Sequence, residues 1–509
     1  MSIYVSDKNL TSILGLTDNS FFITITFLFM AEAVPPIERQ QLKLEAQKSL
    51  ERKGVRLLDS SERQQMSQDF LEAMQRGLQT NGKEGLLMIP TKVGPISPTG
   101  LPENKRVLVI EMGGTNKYGG IVENHAGTVE VADGGNAYVK ESLREDKSSY
   151  IDANDFFNEI TGEARALLGG GHIDAVGVVY SFPGTAIETQ TGDVDVLSPE
   201  ELPKGFKVPG ISARPVGEQL LKSLQRADPN FDIDIPLVVI NDTPAVALST
   251  PGATIGGVVA TGFNLAVALQ NSATGKVEFY NSEAGKFTGI PTTPLSQEID
   301  SMSANPGDGL AEKQISGKYL GQALEIAIKD LNRNGILPNL HEGSIVDAKV
   351  ISDLLDQKGE NIQTFFSRDL HQDDMELLQN TAGIIAERSA QAVGIMIGSM
   401  AKLTGEKHVI VPIEGSVYAN VKGYQDQVAR YAQEVAPDVE FRLLNVEQGG
   451  VRGAGSVALQ KSADSVPQQV FPSVVRPDLT PAIFPLGVQI YHEIQYTDST
   501  GPTKRRVLR

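Results

Sequence analysis

The spacing of hydrophobic positions changes several times along the chain, and each change marks a different kind of element. Over residues 37–77, Leu42, Ala46, Leu50, Phe70 and Met74 recur at near-helical intervals among Glu, Gln, Lys and Arg, which predicts two surface helices. Pro90 and the stretch 94–102, with three Pro and two Gly, then break the pattern and mark an inter-element or interdomain crossing. Beyond it, short apolar runs at 107–112, 176–182, 237–240, 256–260 and 409–413 read as strands, separated by segments long enough for helices. This is an α/β layout. Helices are clearest at 315–334, where Tyr319, Leu324, Ile328 and Leu331 share a face ahead of Gly335, and at 378–402, whose Gly, Ala and Ser predict close helix packing.

One segment stands apart. Residues 21–30 (FFITITFLFM) are uniformly apolar but too short to span a bilayer as a helix. Asp18 ahead of the run is not the basic flank of a secretion signal, although Ala31-Glu32-Ala33 loosely imitates a cleavage site. A buried strand, a weak membrane-docking segment and a true start at Met30 are the other readings; the last is preferred, because the chain becomes ordinary immediately afterwards.

The length of 509 residues exceeds one ordinary core, so two domains with a cleft between them are expected. A formal charge of −18 argues against a surface that works by counterion release from nucleic acid, and small molecules are the expected partners. With no cysteine there is no disulfide framework, thiol nucleophile or Cys-ligated zinc, and the six His are scattered without metal-ligand spacing. No stable membrane insertion is expected, and a cytoplasmic location fits.

Candidate chemistry gathers at strand ends. In VLVIEMGGTNKYGGIV (107–122) a carboxylate, Glu111, is followed by Gly113, Gly114, Thr115 and Asn116; glycines let backbone N–H groups approach a polyphosphate, although a GGT after a strand is also an ordinary hairpin. A second strand runs into Thr261 and Gly262, so strand-then-Gly/Thr occurs in both halves, a hint of duplicated nucleotide-cradling units. The apolar strand 237–240 ends in Asn241, Asp242 and Thr243, the place where open α/β sheets present catalytic groups. Asp242 is a candidate base there, and equally a candidate helix cap. Glu283 and Glu312 are further carboxylates, which read singly as surface charges.

Taken in order, these motifs resemble the hexokinase family. The match begins with FLEAMQRGL (70–78) and MIPTKV (88–93) and passes through SFP (181–183), KGF (204–206), IND with Thr243, TGFN (261–264), EKQISGKYLG (312–321) and GSVY (415–418). It ends at GAGSVALQ (453–460), covering about three quarters of the chain. The resemblance implies an α/β, two-domain actin-like ATPase (ribonuclease H-like) fold with a cleft between a small and a large domain. It implies an N-terminal extension at 1–35, large-domain helices at 36–92, a small domain at 93–243, a large domain at 244–452, a returning helix at 453–465 and a C-terminal extension at 466–509. It further implies that Ser181, Lys204, Asn241, Asp242, Asn264, Glu283 and Glu312 line a sugar site. Gly113, Gly114, Thr115, Asn116, Thr261, Gly262, Gly415 and Ser416 would bind ATP, and Glu111 would reach Mg2+ through water. The implied reaction is transfer of the ATP γ-phosphoryl group to the 6-hydroxyl of a hexose, with Asp242 as general base.

The chain also departs from the family. Glu111 replaces the usual Asp, Lys117 and Tyr118 replace the usual Phe and Arg, Pro203 replaces a Thr, Ala284 a Trp, Glu414 an Asp and Ala260 a Gly. Loss of the guanidinium at 118 leaves any nearby lysine to act on phosphate only as a point charge. Pro203 and Ala284 point to a sugar preference other than glucose, fructose or mannose being the alternatives. The altered first phosphate turn keeps a second class open, a catalytically weak or inactive sugar-binding regulator.

Overall fold

The computed structural model describes residues 36–464, except 98–100, 114–115, 126–127, 133–137, 163, 165–166, 168–171, 183, 190, 203–204, 359–361 and 368, together with 494–496 and 504–506. The apolar run at 21–30 therefore lies outside the described residues. The chain divides into residues 1–48, whose described part is the start of helix α1 (Pro36–Lys53), and residues 49–509, which hold everything that follows.

Strands β1 (Ile89–Pro90), β2 (Arg106–Met112), β3 (Asn116–His125), β4 (Thr128–Val131), β5 (Tyr138–Ser142), β6 (Ala175–Tyr180), β7 (Thr185–Glu188), β8 (Val194–Leu197) and β9 (Leu237–Ile240) precede a second series. That series is β10 (Ile255–Val259), β11 (Phe263–Gln270), β12 (Val277–Asn281), β13 (His408–Glu414) and β14 (Glu440–Asn445), and a separate antiparallel pair, β15 (Ile494–Tyr496) and β16 (Lys504–Arg506), follows. One sheet has the order β4-β3-β2-β6-β9-β8-β7, with β5 beside β3; the other has β1-β12-β11-β10-β13-β14. In each, an antiparallel trio (β2–β4, β10–β12) continues through parallel strands (β6 and β9, β13 and β14). The repeat hinted at by two strand-Gly/Thr junctions is thus matched by a repeated strand order.

The helices after α1 are α2 (Ser60–Thr80), α3 (Ala153–Thr161), α4 (Val216–Ala227), α5 (Asp242–Leu248), α6 (Pro294–Met302), α7 (Glu312–Ile315), α8 (Gly317–Arg333), α9 (Ala348–Leu355), α10 (Gln372–Thr404), α11 (Ser416–Asn420), α12 (Tyr424–Val435) and α13 (Gly449–Asp464). Helix α2 starts in a capping box in which Asp59 accepts from the Glu62 N–H and Glu62 accepts from the Asp59 N–H, so two orphan donors are satisfied reciprocally. The helix expected at 315–334 is divided at Ser316, whose extended backbone lets the Gly317 N–H donate to the Ala260 carbonyl instead of continuing the helix. Helix α10 bears out the small-residue reading: a Cβ on Gly394 would sit 2.5 Å from the Val428 carbonyl, so only glycine lets α12 lie this close.

The apolar strands alternate cleanly between two cores. Leu108, Ile110, Met112, Val176, Val178 and Val239 point into one, with Phe156, Phe157 and Leu220 from the flanking helices. Val107, Val109, Val179, Val238 and Ile240 point into the other, with Ala245, Val451, Ala454 and Val457. Both faces of β2, β6 and β9 are covered, which is why their sequences are continuously apolar rather than alternating.

The last helix of each half crosses over to the other. α5, which leaves the first sheet, packs on β10 and β11 of the second, while α13, which leaves the second, packs on β2 and β6 of the first. The two crossing helices touch each other so closely that a Cβ on Gly453 would lie 1.7 Å from the Ala245 carbonyl. Whatever α5 and α13 carry at their N-termini is therefore held between the sheets.

Candidate active site

Parallel register brings the ends of β2, β6 and β9 to one edge. Glu111 lies beside Val179, and Val179 beside Ile240, so the chain leaves the sheet at adjacent points through Gly113, Ser181 and Asn241. The Ser181 N–H donates to the Met112 carbonyl at 3.1 Å, which ties two of these exits together. Asn241 is the N-cap of α5, and Asp242 is its first residue. The Thr243 N–H donates to Asn241 Oδ1 at 3.2 Å and to Asp242 Oδ1 at 2.7 Å, and Thr243 Oγ1 also donates to Asp242 Oδ1. Asn241 holds the cap position while Asp242 Oδ1 shares the Thr243 N–H, and Asp242 Oδ2 accepts no hydrogen bond among the described residues. One oxygen is fixed and the other is open, the arrangement a base needs.

The second sheet contributes a polar cluster. Asn264 Oδ1, at the start of β11, accepts from the Leu265 N–H (2.8 Å) and the Ala284 N–H (3.0 Å), while its Nδ2 donates to Asn281 Oδ1 at 2.7 Å. Asn281 Nδ2 in turn donates to Glu283 Oε1 at 2.8 Å. Glu283 adopts a left-handed backbone, φ 54°, which aims its carboxylate back along this chain of amides. Burial raises its pKa, the negative charges of Asp242 and Glu312 raise it further, and the Asn281 donor and Lys286 pull the other way. Glu312, at the start of α7, lies over the turn that joins β10 to β11: a Cβ on Gly262 would be 3.4 Å from Glu312 Oε2. An open cleft separates the sheets here, with Tyr180, Phe182 and Asn241 on one side and Asn281, Pro90 and Thr91 on the other.

A second group of carboxylates lies at the N-terminus of α13. The Gly450 N–H donates to Glu414 Oε2 at 3.1 Å, and a Cβ on Gly450 would be 3.9 Å from Glu111 Oε2. Burial lifts Glu111 to about 8, with the Glu414 and Asp242 charges adding and Lys140 opposing. Burial likewise raises Glu414, and N–H groups of the α13 N-terminus hold it down in part. Glu414 ends β13 beside Val258, a position at the mouth of the second sheet that the sequence marks only as a departure from the family's usual Asp.

No cluster of three carboxylate or imidazole side chains able to share one metal ion exists among the described residues. Glu111 and Glu414, both desolvated and raised, with the Asp242 carboxylate beside them, nevertheless fit a hydrated divalent cation held through one or two carboxylates and water, the manner in which Mg2+ is usually bound beside phosphates. Crowded negative charge with raised pKa values is the condition that a cation relieves.

Among the residues expected to bind ATP, Gly114 and Thr115 lie outside the described residues, as does Lys204 of the sugar set; Gly113 follows β2 and Asn116 opens β3. Thr261 and Gly262 form the turn after β10, closed by the Ala260 N–H donating to the Gly262 carbonyl at 2.9 Å. Gly415 has φ 135°, and a Cβ there would come within 2.3 Å of the Val259 carbonyl, so glycine is required for Gly415 and Ser416 to approach the same turn.

Lys117 does not face the first turn as a stand-in cation. Its Nζ donates to the Glu159 carbonyl at 2.5 Å and lies 3.3 Å from Glu141. The cation that does face Glu111 was missed: Tyr118 is directly opposite Glu111 on one side and Lys140 on the other, so the three side chains share one face of β2, β3 and β5. Lys140 Nζ lies 5.3 Å from the centre of the Tyr118 ring. No sequence motif marks Lys140; only strand register brings it to the turn.

Residues 55–250 and 254–460 match two family models, each described as hexokinase. The boundary between them falls in the turn between α5 and β10, where the chain passes from the first sheet to the second. Hexokinase-2 of Rattus norvegicus is 26% identical over 436 residues, covering 77% of this chain and 46% of its own length. Hexokinase-1 of Saccharomyces cerevisiae is 23% identical over 447 residues, covering 79% of this chain and 89% of its own. The chain spans about half the length of the rat relative. Among solved structures, a hexokinase from Schistosoma mansoni complexed with glucose superimposes with a TM-score of 0.68 at 21% identity, over 83% of this chain and 99% of that one. This likeness agrees with the two-domain actin-like ATPase fold expected from the sequence, and the chain belongs to the hexokinase family.

Proposed function

We propose that this protein is an ATP-dependent hexose kinase in which Asp242 is the general base. The observation that carries the reading is the position of Asp242, with one oxygen anchored by Thr243 and the other open, beside Asn241 and close enough to Glu283 to raise its pKa. Asn264, Asn281, Glu283 and Glu312 offer the paired donors and acceptors that several adjacent sugar hydroxyls require, with Ser181 and Lys204 completing the set. The small domain is assigned to 93–243 and the large domain to 244–452, with 36–92 as N-terminal helices of the large domain and 453–465 as a helix returning to the small domain.

In this reading Asp242 Oδ2 takes the proton of the primary hydroxyl as that oxygen attacks the γ-phosphorus in line with departing ADP. The Asn–Glu cluster holds the ring so that only this hydroxyl reaches Asp242. Backbone N–H groups of the two turns and the Lys140 ammonium would receive the phosphates, and Gly415 and Ser416 the adenosine. Mg2+, held by Glu111 with Glu414 and Asp242 nearby, would supply charge neutralisation when bound. Closure of the cleft would keep water from the transferred group.

The test is a coupled ADP-release assay with Mg-ATP and glucose, fructose or mannose, beside Asp242→Ala. Sugar-dependent release that the substitution abolishes is the expected result, with fructose or mannose favoured over glucose because Pro203 and Ala284 alter the sugar wall. Sugar binding without turnover would replace the kinase by a sugar-binding regulator.

A further inference from the structure

A second cavity lies outside the cleft, bordered by α6, α7, α8, α10 and the segment after α1. It is a half-open pocket whose free space is continuous with solvent, and its walls include Leu295, Ile299, Leu320 and Ile385. Such an apolar pocket with a few converging polar groups is the usual form of a small-molecule site. Two of its polar groups have unmet needs. Gln314 Oε1 is enclosed and has no hydrogen-bond partner among the described residues. Among the described residues Arg388 donates only to main-chain oxygens, that of Pro291 at 2.7 Å and that of Arg56 at 3.2 Å.

The contrast with the adjacent guanidinium is informative. Arg56 is held by both oxygens of Glu62 at 2.6 Å, so its charge is answered. Arg388, half-buried beside that second cation, has no carboxylate within ion-pairing distance among the described residues, and burial followed by the Arg56 charge lowers its pKa to about 10. The Glu62 charge offsets this in part but is bonded to Arg56, and a guanidinium stays protonated in a protein, so Arg388 has no carboxylate bonded to it among the described residues. Lys313, the third cation at the wall, is already engaged by Asp300 at 2.5 Å and the Asn305 carbonyl at 2.6 Å.

We propose that this cavity binds a small amphipathic carboxylic acid, its acidic end on Arg388, its apolar body against Leu295, Ile299, Leu320 and Ile385, and a hydroxyl or amide donor on Gln314, and that occupancy alters sugar affinity. The coupling is mechanical. Gln314 lies two residues after Glu312 in the same short helix, α7, and Ser389, next to Arg388, donates to the Ile315 carbonyl at 2.9 Å. A ligand that draws Gln314 and Arg388 together therefore acts on the helix that positions Glu312. This second half rests on the assignment of Glu312 to the sugar site; the binding half does not.

The probe is 3-phenyllactate, which combines carboxylate, hydroxyl and apolar ring, titrated calorimetrically into the full chain beside 3-phenylpropanoate, which lacks the hydroxyl, and 2-phenylethanol, which lacks the acid. Saturable one-to-one binding of phenyllactate is expected, several-fold weaker for phenylpropanoate and absent for phenylethanol. Arg388→Met and the cavity-filling Ile299→Trp should each weaken it at least tenfold, with thermal melting as the check of fold, and Gln314→Leu should abolish the preference for the hydroxyl. Sugar titrations at saturating phenyllactate should give a several-fold change in Kd. Absence of saturable binding, or binding unaffected in both Arg388→Met and Ile299→Trp, overturns the site; binding with unchanged sugar Kd overturns the coupling. None of these readouts needs turnover, so a failed kinase assay leaves them interpretable.

Discussion

The two ends of the cleft treat negative charge differently. Around Glu283, amide side chains form a continuous relay from Asn264 through Asn281 to Glu283 Oε1. At the other end Glu111 and Glu414 face each other and Asp242 with little but backbone N–H groups and Lys140 to offset them. The first cluster is ordered by the protein's own amides, carries no facing pair of buried carboxylates among the described residues, and suits a neutral, hydroxyl-rich ligand. The second is complete only with added positive charge, which suits a substrate that arrives with a metal ion. Asp242 belongs to both, which is where a base joining the two substrates has to be.

Removing Asp242 breaks the comparison most severely. Asp242→Ala should lower kcat about 10³-fold, in the range typical of a lost general base, while sugar Kd from equilibrium titration changes little. Structurally the largest effect should come from Gly453→Ala, whose Cβ would overlap the Ala245 carbonyl and force α5 from α13. A loss of about 3 kcal/mol is expected, read as a fall in Tm, with sugar and nucleotide binding impaired together because both helices carry site residues.

Lys140→Met sharpens the contrast, because it should act on one end alone. The KM for ATP should rise about tenfold, equivalent to about 1.4 kcal/mol of lost phosphate interaction, with sugar Kd unchanged. A smaller effect concerns pH. Because Glu111 titrates near 8 in the folded chain and near 4.5 when unfolded, folding favours its protonated form, so its contribution to stability is full below about pH 4.5 and is lost as pH rises through about 8. Without divalent cations, Tm should therefore decline across that interval, Glu111→Gln should flatten the decline, and Mg2+ should raise Tm more at pH 8 than at pH 5. Equal stabilisation by Mg2+ at both values would contradict the assignment of the cation to this end.

Much of the framework was legible in the sequence because apolar runs at 107–112 and 237–240 announce strands covered on both faces, and the polar residues that follow them mark the sheet edge. The close packing of α10 was legible in its glycines. Strands β3 and β12 were not read as strands, since they mix polar and apolar residues, and β11 was passed over although residues 265–268 form a buried apolar run. The break at Ser316 depends on a hydrogen bond from Gly317 to Ala260, 57 residues earlier, that no local pattern encodes. Lys140 and Glu414 escaped for the same reason: register across strands, not neighbours in sequence, brings them to the site, and the side chain judged from its motif position, Lys117, is turned to Glu159 instead.

Glu283 illustrates why such a site is not the most stable arrangement of this chain. A left-handed backbone at a residue other than glycine costs about 1 kcal/mol, and its desolvated carboxylate adds to that cost. Glu283→Gly would relieve both at once, and should melt at a higher temperature while binding sugar poorly. Selection for robustness alone would remove this glutamate; its retention sets stability against activity at a single residue, and a screen for thermostable variants would be drawn to the position that recognition can least afford to lose.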